Sequence, residues 1–182
     1  MKDHPAIVFD FYGRIAWRFH PFQVCIDHLR RAVETALSRG SNDMGFYCSI
    51  FVVVTSIHRG EKLTSVLKEI DYYLQIFDTH KSVVPRNYLL LFRETVSVMI
   101  DNEQAKGTEE GHFGNMNDPA NKLREAVYFH KVIQCFWRGH KDRCRHYSEK
   151  CMPILGPKGQ FNSCMLKFYS GEKVEDVTAY VY

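Results

Sequence analysis

The sequence predicts an all-α fold in which antiparallel helical hairpins stack as an α-solenoid. Apolar residues recur at spacings of three and four in segment after segment, and no stretch alternates as a half-buried strand would. A short glycine-centred joint also repeats between helical segments, as a chain folding back on itself requires. Of the 182 residues, 45% are hydrophobic, 14% aromatic and 25% charged, which suits a packed core and excludes overall disorder. The expected organisation is one helical-repeat domain over residues 1–182, interrupted by a flexible loop at about 102–118.

An apolar N-terminal helix opens with Ile7, Val8 and Phe11. From Phe22 to Leu37 the residues Phe22, Cys25, Ile26, Leu29, Val33, Ala36 and Leu37 share one helical face, with Pro21 suited to its first turn and Gly40 to its end. Met44 to Ile57 is apolar nearly all round, which marks a central helix covered by neighbours; its run Phe51-Val52-Val53-Val54 also admits a buried strand. Leu63, Val66, Leu67, Ile70, Tyr73, Leu74 and Phe77 form the most regular amphipathic stripe in the chain. Pro85 opens the next helix, which carries Tyr88, Leu89, Phe92, Val96 and Met99 and ends near Asp101. Three glycines, acidic residues and no apolar period then mark the loop, where protease should cut first. Beyond it, Asp118-Pro119 starts a helix through Leu123, Ala126, Val127, His130, Ile133 and Trp137 that stops at Gly139. Helices over Lys141 to about Leu155, Gln160 to Ser170 and from Glu172 complete the chain.

Three junctions look alike: Ile57-His58-Arg59-Gly60-Glu61-Lys62-Leu63, Phe136-Trp137-Arg138-Gly139-His140-Lys141-Asp142 and Phe168-Tyr169-Ser170-Gly171-Glu172-Lys173-Val174. Glycine takes the left-handed conformation that closes a helix, and the charged pair after it lets the next helix start at once. Gly139 and Gly171 are separated by about one repeat of ~34 residues.

Together with Phe19-His20-Pro21-Phe22 and Ala36-Leu37-Ser38-Arg39-Gly40-Ser41-Asn42-Asp43, these segments resemble the tetratricopeptide-like helical region of large predicted AAA-type ATPases fused to serine/threonine or histidine kinase signalling modules. The resemblance runs from about Phe9 to Ser170 and implies a TPR-like α-solenoid working within a signalling architecture. Its catalytic elements do not carry over. The chain has no G-x-x-x-x-G-K-[ST] loop, no H-R-D or D-F-G set and no phosphoacceptor-histidine box.

No catalytic, cofactor-binding or metal-binding residue is therefore assigned, and a non-enzymatic scaffold for protein partners or neighbouring domains is expected, without cofactor. The alternative is a small metal-binding or Cys/His-dependent protein using Cys135, His140, Cys144, His146 and Cys151. Against it, no C-x-x-C pair exists, and Cys144, Tyr147 and Cys151 fit a core stripe. His130 sits on an apolar face as a core histidine. Tyr72, Tyr73, Phe77, Tyr88 and Phe92 are core by the same spacing, with Tyr72 the member that could line a peptide groove. A formal charge of +3, with Arg14, Arg18, Arg30, Arg31 and Arg39 dispersed, argues against nucleic acid, and no apolar run approaches the ~20 residues of a membrane span. Six scattered cysteines fit a reducing, cytoplasmic compartment. The apolar first and last segments leave open solenoid ends, from which self-association is expected.

Overall fold

The computed structural model describes residues 4–81, 83–101 and 123–155, with side chains to Cys151. Every regular element among them is helical and none is a strand. The elements are α1 (Pro5–Val8), continued by a wider helical turn over Phe9–Gly13 and a short tight turn over Ala16–Arg18; α2 (Phe22–Ser38); α3 (Asn42–His58); α4 (Leu63–Thr79); α5 (Val83–Ile100); α6 (Arg124–Trp137); and α7 (Lys141–Leu155). The chain divides within α5 into two compact units, Met1–Leu90 and Leu91–Tyr182.

In the first unit, Pro21 precedes α2 with extended backbone (φ −55°, ψ 141°) and sets the helix direction. The spacing of three and four then places Cys25, Ile26, Leu29, Ala32, Val33 and Ala36 in the core. The facing helix α3 lets α2 approach closely: a Cβ at Gly45 would lie 3.1 Å from Cδ2 of Leu37. Residues on several sides of α3 are buried, Phe46, Cys48, Val52, Val53 and Ser56 among them, so the Phe51 to Val54 run is helix and not strand. Its β-branched Val52 and Val53 give up some intrinsic preference because their burial outweighs it. Phe46, early in α3, meets Phe77, late in α4, edge to face at 6.0 Å, which sets these two helices antiparallel.

The joints are built alike. After α2, Ser41 N–H donates to the Ala36 carbonyl at 2.8 Å and Gly40 N–H to Leu37 at 3.0 Å. After α3 the same pair of bonds runs from Glu61 to Ser56 and Gly60 to Ile57, and after α6 from His140 to Cys135 and Gly139 to Phe136. Each satisfies two helix-end carbonyls, and each requires a left-handed residue: φ is +71° at Gly40, +78° at Gly60 and +70° at Gly139. The joint at Gly40 belongs with the two expected at Gly60 and Gly139; the one at Gly171 lies outside the described residues.

In the second unit, α6 and α7 form a hairpin whose register is visible in two thiols. Cys144 Sγ donates to the Val132 carbonyl and Cys151 Sγ to that of Glu125, each at 3.7 Å, so later residues of α7 meet earlier residues of α6. Helix α5 begins at Val83, two residues before the expected Pro85, whose missing N–H falls in the first turn where no partner exists anyway. The expected loop at 102–118, the Asp118 cap and the helices after Gln160 lie outside the described residues.

Candidate interaction surface

Because α2, α3 and α4 follow one another through short joints, α2 and α4 run the same way side by side. Between them lies a cleft of about 250 Å³ lined by Arg30, Val33, Glu34, Leu37, Glu69, Tyr72 and Tyr73. Helical spacing explains the lining. Arg30 and Glu34 flank the core stripe of α2, whose Val33 and Leu37 reach the cleft, and Glu69 and Tyr72 flank that of α4 beside its Tyr73.

One polar lock closes one side of this cleft. Arg30 Nε donates to Glu69 Oε1 at 2.8 Å and Nη2 to Oε2 at 3.0 Å, a two-pronged ion pair, while the Tyr73 hydroxyl donates to Oε1 at 3.3 Å. The hydrogen bonds to Glu69 push the Arg30 guanidinium further above its ordinary value, and burial pushes the Tyr73 phenol up. Both therefore remain protonated at any physiological pH. A planar fork held at two points keeps three of its five N–H groups for other acceptors. Beside it stand the largely apolar Val33 and Leu37 and the ring of Tyr72, 58% exposed where the spacing alone places it with the core.

Of the remaining arginines, only Arg31 and Arg39 share a cleft among the described residues. Arg14 pairs with Asp10 at 3.6 Å, and the Arg18 guanidinium lies over the Trp17 ring at 5.4 Å. Arg31 and Arg39 line a second cleft of about 400 Å³ with Val8, His28, Ala32, Thr35 and the carboxylate of Glu34.

In the second unit the Cys/His group is not a metal centre in form. Cys135, Cys144 and Cys151 are buried while His140 and His146 are exposed. Among the described residues, no three His, Cys, Asp or Glu side chains come together as metal ligands. Burial pushes the Cys151 thiol up to about 12, which holds it in the protonated, unreactive form. His130 is buried, as its place on the α6 stripe implies. Gln134 Nε2 donates to Thr95 Oγ1 at 3.2 Å, and the Thr95 hydroxyl is hydrogen-bonded to His130 Nδ1 at 2.8 Å. The edge-to-face ring of Phe92, 4.5 Å away, completes the enclosure. Burial alone lowers His130 to about 4, so the ring is neutral at pH 7.

The bond from Arg30 to Glu69 links residues 39 positions apart, and only the stacking of α2 beside α4 brings them together. Neither family models, nor curated proteins, nor solved structures give a match to this chain.

Proposed function

We propose that the chain is a non-enzymatic helical-repeat scaffold, TPR-like in arrangement, that holds an extended segment of a protein partner or of a neighbouring domain across the α2–α4 cleft. The observation that carries this reading is the pairing of the fixed Arg30–Glu69 fork with the apolar Val33, Leu37 and Tyr72 wall in one cleft. Its volume of about 250 Å³ lies below the roughly 300–1,000 Å³ of small-molecule and cofactor sites, and suits one anchoring side chain. The anchor is aliphatic or aromatic, and the open N–H groups of Arg30 take main-chain carbonyls beside it. A signalling ATPase or kinase architecture is the setting that the resemblance implies. A reducing cytoplasm suits the five described cysteines, all buried and none in a disulfide.

The test is selection from a displayed random peptide library on the immobilised chain, with a Tyr72→Ala variant as counter-screen. Peptides sharing one large apolar residue should enrich and lose at least tenfold in affinity on Tyr72→Ala. Failure to enrich, or equal binding to both proteins, refutes the reading.

A further inference from the structure

The α2–α4 cleft carries one charge that the protein itself leaves unanswered. Arg30 and Glu69 cancel each other through their two-pronged pair, and the Tyr73 hydroxyl donates to the same carboxylate. Glu34, one helical turn after Arg30 on the α2 wall, is exposed and makes no ion pair among the described residues. It stands on the crest between the two clefts and lines both. The cations around it are engaged or lie beyond the crest: Glu69 holds Arg30, Arg31 donates through Nε to the Asp27 carbonyl at 3.3 Å, and Arg31 and Arg39 line the second cleft. The uncompensated charge in the lining of the α2–α4 cleft is therefore the carboxylate of Glu34.

The α4 wall adds an exposed aromatic ring, that of Tyr72, tilted against Tyr73 at 5.4 Å. A carboxylate on one wall and an aromatic ring on the other suit a cation carried on an apolar stem, the description of a lysine or arginine side chain. We infer that the segment held in this cleft carries a lysine or arginine beside its apolar anchor, and that Glu34 is the residue that selects it. The inference rests on the reading of the cleft as a peptide site and adds the charge of the occupant. The anchor lies against Val33 and Leu37, main-chain carbonyls meet the open N–H groups of Arg30, and the cationic head reaches Glu34. An acidic residue in the same place meets Glu34 as a like charge, and Arg30 offers it little attraction because Glu69 already cancels its charge.

The experiment is the selection from the displayed random library, read for charge and repeated on Glu34→Gln and Glu34→Lys, both at an exposed site and checked for unchanged helical circular dichroism. Peptides enriched on the wild type should carry lysine or arginine close to the apolar anchor. A synthetic peptide with that residue changed to glutamate should bind about fivefold more weakly, and the difference should shrink as salt rises from about 50 to 500 mM. Glu34→Gln should bind the two peptides alike, and Glu34→Lys should prefer the glutamate form. Apolar enrichment without a preference for basic residues, or a lysine preference that persists on Glu34→Lys, overturns this inference and leaves the peptide site standing. Failure to enrich any peptide overturns both.

Discussion

Gly60→Ala should destabilise the protein by about 1 kcal/mol, although nothing lies within 4 Å of the Cβ it would add. The cost is conformational, because φ at this joint is +78° and an L side chain is strained there. Lys81, after α4, is the converse: it takes φ +52° with a Cβ in place, so Lys81→Gly should gain roughly 0.5–1 kcal/mol. Urea melts of the two variants check both signs. His130 adds a dependence on acid. Its ionisation is lowered from 6.5 to about 4, so the folded state holds the ring neutral while the unfolded chain takes up a proton below 6.5. Stability from this group is complete above pH 6.5 and falls by about 3 kcal/mol as the pH drops through 4. His130→Leu, which leaves Thr95 and Gln134 paired, should flatten this part of the profile; an unchanged profile would place the acid sensitivity elsewhere.

At the scale of elements, the contact between α2 and α3 is set by Gly45. Gly45→Leu should cost about 1–3 kcal/mol in thermal melts, because the new side chain drives into Leu37 at the closest point of the hairpin. Helices α2, α3, α4, α5 and α7 were legible in the sequence to within about two residues, since each carries its own apolar period and most carry their own stop signal, whereas α6 starts at Arg124 and not at the expected Asp118-Pro119. Val52 and Val53 pull the other way, and only burial by neighbours decides them as helix. The Gly40 joint was recognisable by its glycine, but its kinship with Gly60 and Gly139 rests on hydrogen bonds that lack a shared side-chain pattern. The cleft was legible only as the remark that Tyr72 could line a groove. Arg30 and Glu69 each read as surface charges on their own helix. Their meeting depends on which edges of α2 and α4 adjoin, and periodicity within one helix carries no information about that.

Over the whole molecule, the cysteines offer a compact check on where the core sits. Cys25, Cys48, Cys135, Cys144 and Cys151 are all buried, and burial pushes Cys48 and Cys151 up to about 12. These five thiols should resist a charged disulfide reagent in native buffer and react together on denaturation, as absorbance of the released thiolate reports. Rapid native labelling of Cys144 or Cys151 would contradict the packing of α6 on α7. Among the described residues, no helix is long and apolar enough to cross a membrane. Among the features the helices leave accessible is the edge-to-edge cleft between α2 and α4 in the first unit.

The most direct measurement of the central claim is amide chemical-shift mapping of the isotopically labelled chain titrated with a selected peptide. Perturbations should concentrate at Arg30, Val33, Leu37, Glu69, Tyr72 and Tyr73 and vanish in the Tyr72→Ala variant. Perturbations centred instead on α7, or on the N-terminal residues Ile7 to Ile15, would contradict the assignment of the α2–α4 cleft as the binding surface.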